Sequence, residues 1–148
     1  MAVSVSKNRQ EGFSLIELIT VIIVLGIISV LAFSRFDNAD TVAVQTGRDQ
    51  VLNALFVAQQ LAMVRSSDDS VQVRLDATSV NIIENAAPLN RGGVSYPLTL
   101  PEGVSITSGT GDYDYDKLGR TAPATIALSR GGTSASIELE ASGYAHSQ

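Results

Sequence analysis

A chain of 148 residues has room for a membrane segment and one small domain, and its net charge of −5 speaks against a nucleic-acid scaffold, which would show a basic face. With no cysteine there can be no disulfide framework, thiol nucleophile or cysteine-ligated metal, and the single histidine, His146, cannot form a metal-binding pair.

In chain order, Met1 to Gly12 is short and polar and carries Lys7 and Arg9. No charged residue occurs from Leu18 to Ser34. With Phe13, Leu15 and Ile16 the apolar run reaches the roughly 20 residues that span a bilayer. One carboxylate, Glu17, stands inside its leading end. A charge there costs about 2.5 kcal/mol or more unless it is paired. A cleaved secretory signal would have a shorter apolar region followed by small residues. The order here, Leu31-Ala32-Phe33-Ser34-Arg35-Phe36, suits an uncleaved anchor. Lys7 and Arg9 then stay in the cytoplasm and the C-terminal part is exported.

The segment Lys7-Asn8-Arg9-Gln10-Glu11-Gly12-Phe13-Ser14-Leu15-Ile16-Glu17-Leu18 resembles the class III signal of type IV pilins and type II secretion pseudopilins. The resemblance implies cleavage between Gly12 and Phe13 by a prepilin peptidase, then N-methylation of Phe13. It also puts Glu17 where the family keeps its glutamate. Cleavage would leave a cationic amine on Phe13, and in a filament Glu17 of one subunit can meet the amine of its neighbour. Buried among apolar helices, each charge alone would be costly, so the pair would act as a registry device for inserting a subunit. The competing reading is that Glu17 snorkels to the membrane interface.

Beyond the apolar run, Asp40 to Ser66 lacks proline and carries an apolar stripe. Val44, Val51, Leu55, Ala58 and Ala62 recur at near-helical spacing, with Leu52 and Phe56 widening the stripe. Gln45, Arg48, Asp49, Asn53, Gln59 and Gln60 supply the polar side. The run Ser66-Ser67-Asp68-Asp69-Ser70 ends the helix. Helical from Phe13 to Arg65, the element would be about 80 Å long. Gly26 and Asp37-Asn38-Ala39-Asp40 are candidate breaks, because short polar residues compete for backbone hydrogen bonds. Phe33-Ser34 stands where type IV pilins usually have proline, so a proline kink is not assumed. Gly47 weakens the helix by about 1 kcal/mol relative to alanine and reads as tolerance at a helix contact.

From Val71 the period becomes two. Val71 to Leu75 reads as a strand, Asp76-Ala77-Thr78-Ser79 as a turn, and Val80 to Ile83 as the returning strand. Asn85 to Gly93 is a loop. Tyr96 to Leu100 and Val104 to Thr107 are further strands. Ala124 to Ser129 and Ser134 to Glu140 form a hairpin across Arg130-Gly131-Gly132-Thr133, with Ile137 and Leu139 inward and Glu138 and Glu140 outward. Gly143-Tyr144-Ala145 is a short ending, and His146 lies in a fraying tail. The fold class is α+β: a long N-terminal helix packed on an antiparallel sheet. The parts are 1–12, a leader; 13–36, a transmembrane and filament-core helix; 37–70, an amphipathic helix; and 71–148, the β region.

This layout resembles H-type minor pseudopilins and minor pilins of the mannose-sensitive haemagglutinin (MSHA) type, with Leu118-Gly119-Arg120 and Gly131 to Gly143 matching their late Gly-Arg segment and final hairpin. The resemblance implies a structural subunit, not an enzyme and without a cofactor. It would be held in the inner membrane with its C-terminal region in the periplasm, then taken into a pilus or pseudopilus. Implied partners are the prepilin peptidase, other pilin or pseudopilin subunits, an inner-membrane assembly platform and the lipid bilayer. Nucleic acid is not expected, because Arg74, Arg91, Lys117, Arg120 and Arg130 are scattered among more acids. Two functions compete: a minor pilin of an MSHA-like pilus, supporting assembly and attachment, and a minor pseudopilin of type II secretion.

Three further patterns stand in the sequence. Asp112, Asp114 and Asp116 alternate, would share one side of a strand, and are of the type that ligates calcium, against a plain solvated acidic loop. Tyr96, Tyr113, Tyr115 and Tyr144 could form a sugar-stacking surface, against simple packing. Arg91-Gly92-Gly93 and Arg130-Gly131-Gly132 lack a following Lys-Ser or Lys-Thr and read as turns rather than phosphate cradles.

Overall fold

The computed structural model describes residues 14–66 and 69–148, and for residues 30–38 the backbone alone. The chain divides into two compact units, Met1–Phe36 and Asp37–Gln148. One helix, α1, runs from Leu15 to Val64. It passes through Gly26 and Asp37–Asp40 without a break. The polar quartet does not end the helix because Asp40 has a partner elsewhere: its Oδ1 lies 2.8 Å from Nε of Arg130. A side chain engaged in this way no longer competes for the backbone of its own turn.

In the second unit α1 buries the stripe that its spacing foretells. Val44, Val51, Leu55, Ala58 and Ala62 are all buried, joined by Ala54 and Leu61. Phe56 is the exception. It is 56% exposed and does not widen the stripe, since a step of 100° from Leu55 turns it out of the contact. Gly47 is more than tolerated. A Cβ there would meet Cγ1 of Val104 at 3.1 Å, so the missing side chain allows α1 to approach Val104 and Pro101 closely.

The strands in chain order are β1 (Val71–Leu75), β2 (Ser79–Glu84), β3 (Ala87–Pro88), β4 (Asn90–Arg91), β5 (Val94–Ser95) and β6 (Leu98–Thr99). After them come β7 (Ser105–Ser108), β8 (Gly111–Tyr115), β9 (Ala124–Arg130), β10 (Thr133–Leu139) and β11 (Ala145–Ser147). They do not make the single sheet that the alternation suggests. A five-stranded sheet has the order β3-β2-β1-β8, with β6 also on β2, and a four-stranded sheet has the order β11-β10-β9-β7. The short pair β4-β5 stands apart. Every pairing is antiparallel.

The expected β1–β2 hairpin forms, with Val73 opposite Ile82. The loop Asn85–Gly93 contains two short strands that sequence reading did not anticipate, and the strand read over Tyr96–Leu100 shrinks to Leu98–Thr99. Both Arg-Gly-Gly segments are hairpin turns. Gly92 and Gly93 have φ of 64° and 81°, and Gly131 and Gly132 have 55° and 89°. Consecutive positive φ values are what a two-residue hairpin turn needs, and glycine adopts them without strain. At Gly131 space adds a second demand, because a Cβ would lie 1.9 Å from Oδ2 of Asp40. The core joins the stripe of α1 to both larger sheets, through Val73, Leu75, Val80 and Ile82 of one and Ile126, Leu128, Ile137 and Leu139 of the other.

Candidate functional site

The leading end of α1 carries the residues singled out by the sequence. Gly12 and Phe13 lie outside the described residues. Ser14 caps the helix: its Oγ accepts the backbone N–H of Glu17 at 3.2 Å, and its carbonyl accepts those of Glu17 and Leu18. Glu17 therefore sits in the first turn, where a negative charge is favoured by the helix dipole. Its carboxylate has no partner among the described residues. Behind it the apolar side chains are exposed on every side, from Leu15 at 76% to Ile28 at 55%. The hydroxyls in this stretch are satisfied internally, Thr20 donating to the carbonyl of Ile16 and Ser29 to that of Leu25, each at 2.7 Å. Such back-bonding suits a helix surrounded by apolar matter, which offers hydroxyls no other partner. Among the described residues no helix is long and apolar enough to cross a membrane. The described side chains of the apolar run stop at Ser29, and the span read over 13–36 extends beyond them.

The three aspartates are placed differently from the sequence expectation. β8 ends at Tyr115, so Asp112 and Asp114 lie in a strand and Asp116 lies in the following turn. Each carboxylate is engaged. Asp112 accepts two hydrogen bonds from Arg74, at 2.6 and 2.9 Å. Asp114 accepts one from Gln72 at 2.8 Å. Asp116 accepts the backbone N–H groups of Leu118 and Arg120 and the Arg120 guanidinium. The guanidinium of Arg74 holds the Asp112 carboxyl below the usual carboxylate range, and the Arg120 backbone N–H does the same for Asp116. Among the described residues no group of three or more His, Cys, Asp or Glu is placed to hold a metal ion.

The tyrosines do not form one surface. Tyr113 and Tyr115 are buried, and Tyr113 donates to the carbonyl of Gly109 at 2.7 Å. Burial raises both phenol pKa values. Their alternation with aspartates is that of a strand with one wet face. Tyr144 is exposed and stacks on His146, with ring centroids 5.5 Å apart. His146 is not in a frayed tail, because β11 pairs it with Glu138 of β10.

Contacts that sequence reading missed hold the second unit together. Nε2 of Gln59, read as part of the polar face, donates to the carbonyls of Gly119 and Ser142, at 3.2 and 3.1 Å. This brackets α1 to two turns at once. Gly119 explains the late Gly-Arg segment: its φ is +74°, and a Cβ would meet Gln59 at 2.9 Å. Gly143 packs in turn on the Gly119 carbonyl. Arg130 pairs with Asp40 and donates to the carbonyl of Glu102 at 2.6 Å. The only forewarning in the sequence was the placing of Gly119, Gly131 and Gly143. A groove of about 620 Å³ beside α1 had no sequence signal.

The family described as the prokaryotic N-terminal methylation motif matches residues 7–33. No curated protein matches the sequence. Among solved structures, the minor pseudopilin EpsH from the type 2 secretion system of Vibrio cholerae superposes with a TM-score of 0.58 at 14% identity. That match covers 71% of this chain and 95% of the EpsH chain. The likeness shows a common fold: a helix followed by antiparallel β-sheet, as found here. The chain thus carries the prokaryotic N-terminal methylation motif ahead of a fold similar to that of the minor pseudopilin EpsH.

Proposed function

We propose that this chain is a minor pilin-like structural subunit of an MSHA-like type IV pilus, supporting pilus assembly and through it attachment. The carrying observation is the methylation motif over residues 7–33 at the start of a helix whose described apolar side chains, Leu15 to Ile28, are exposed. On this reading residues 1–12 are a leader. A prepilin peptidase cuts between Gly12 and Phe13, and Phe13 is N-methylated. Residues 13–36 hold the subunit in the inner membrane, next to its assembly platform, until the filament takes it up. Glu17 then meets the Phe13 amine of a neighbouring subunit. The Glu17 carboxylate, without a partner among the described residues, supports that role, since a lone charge among apolar helices would be costly. Residues 37–70 dock the helix on the β region, 71–148, in the periplasm.

The second reading is a minor pseudopilin of the H type, acting in type II secretion, and the fold shared with EpsH favours it. The amount of sheared surface filament in a strain deleted for the gene, against the complemented strain, separates the two. Filaments that fall sharply support the pilus. Normal filaments with exoprotein retained in the periplasm support the pseudopilus.

A further inference from the structure

Beside α1 the second unit carries a groove of about 620 Å³, a size that takes several side chains. Val57, Leu61 and Val64 of α1 form one wall, and residues between Leu89 and Leu98 form the other. Arg91 and Val94 are cross-strand partners in the β4–β5 pair, so they turn one face of that ribbon to the groove. The ribbon belongs to neither larger sheet. A two-stranded ribbon is marginal by itself, and chain packed beneath it would steady it.

Three polar side chains of the lining have no hydrogen bond or ion pair among the described residues. Two are Asn53 and Gln60, on the same face of α1 as the apolar wall. The third is Arg91. By contrast Arg48, Arg65, Arg74, Arg120 and Arg130 each have an ion pair. Gln59, one residue before Gln60, shows what such an amide does when irregular backbone comes within reach. It donates to the carbonyls of Gly119 and Ser142.

This set selects among occupants. A helix satisfies its own backbone and would offer the two amides only side chains. A fatty-acyl anion would pair with Arg91 and leave both amides facing hydrocarbon, which is costly. An extended segment keeps N–H and C=O groups free along its length, and a side-chain amide supplies both donors and an acceptor to match them. Asn53 and Gln60 stand two turns apart on α1, about 10 Å, which about three residues of extended chain span. We infer that the groove binds an extended segment of another protein that carries apolar side chains and one carboxylate. Asn53 and Gln60 read its backbone, the apolar wall takes its side chains, and the Arg91 guanidinium pairs with its carboxylate. The inference goes beyond the proposed function and holds for pilus and pseudopilus alike.

The test uses the full-length chain in lipid nanodiscs and a phage-displayed library of random heptapeptides. Selection should enrich sequences that combine apolar residues with an aspartate or glutamate. Synthesised with a fluorophore, these peptides should bind the parent chain and lose about tenfold or more in affinity to Arg91→Glu, read by anisotropy. Selection on Arg91→Glu should instead enrich lysine or arginine. Methylating the peptide's backbone nitrogens should weaken binding to the parent chain, and the combined Asn53→Ala and Gln60→Ala variant should erase that penalty. Val94 is 44% exposed, so Val94→Glu should melt like the parent yet no longer bind the peptides. No enrichment over empty nanodiscs, enriched peptides without a carboxylate, equal binding to Arg91→Glu, or N-methylated peptides that bind as tightly would each overturn the inference. So would displacement of the peptides by dodecanoate at lower concentration, which would make the ligand a fatty-acyl anion. Self-association of the chain that Val94→Glu abolishes would overturn it too, in favour of a second copy.

Discussion

Two stretches of one helix behave oppositely. From Leu15 to Ser29, α1 exposes its apolar side chains on every side. From Val44 to Ala62 it buries one stripe and leaves its other faces wet. The second pattern is that of a helix held by its own protein, with two sheets supplying the opposing surface. The first is that of a helix left uncovered by the other described residues, an apolar surface larger than soluble proteins usually expose. Internally bonded hydroxyls at Thr20 and Ser29 and a capped first turn leave Glu17 as the one charged side chain of the described apolar stretch. On the proposed function the difference divides the roles: the first stretch would serve membrane and filament, and the second serves the fold.

That contrast can be tested by changes that strike one stretch and spare the other. The largest effect is expected from Gly12→Val, which removes the residue before the bond proposed to be cleaved. The protein should keep residues 1–12 in the presence of the peptidase, and a normal mature mass by mass spectrometry would refute the assigned cleavage. Glu17→Val comes next. The chain should still be cleaved and membrane-bound, but its share in sheared filaments should fall roughly tenfold or more, the cost of an unpaired amine among apolar helices. Undiminished incorporation would favour a carboxylate that merely reaches the interface.

Leu55→Ala strikes the other stretch. The side chain is fully buried, so the second unit should lose about 2–5 kcal/mol, read from denaturant unfolding, while processing at Phe13 stays normal. Loss of cleavage in that variant would show the two stretches to be coupled. The smallest effect belongs to Asp116→Asn. The native carboxyl pKa is lowered by the hydrogen bonds it accepts, first that of the Arg120 backbone. Its stabilising contribution is thus present above the unfolded pKa near 4 and is lost as pH falls through the native value. The variant should melt below the parent at pH 7, and the two should converge toward about pH 2. Parallel melting curves at every pH would remove the charge from the account of that turn.

Local patterns carried much of this. The stripe Val44, Val51, Leu55, Ala58 and Ala62, the Val71–Leu75 hairpin and the inward Ile137 and Leu139 each follow from periodicity, which depends only on residues near in sequence. Phe56 and Gln59 escaped it. Whether a residue at the margin of a stripe is buried, exposed or bonded depends on what stands opposite, and for Gln59 that is Gly119 and Ser142. β8 was obscured because its Asp-Tyr alternation is equally that of an acidic loop until β1 pairs with it.

By itself, the sequence determined the methylation motif, the solitary Glu17 in an apolar helix, the α+β class and the places of β1, β2, β7, β9 and β10. These rest on chemistry and spacing within short segments. Only the tertiary structure decided that the strands divide into two sheets and that Asp40 is held by Arg130. It alone set a groove between α1 and the segment Leu89–Leu98. Those facts depend on residues far apart in sequence meeting in space, and no local period records such meetings.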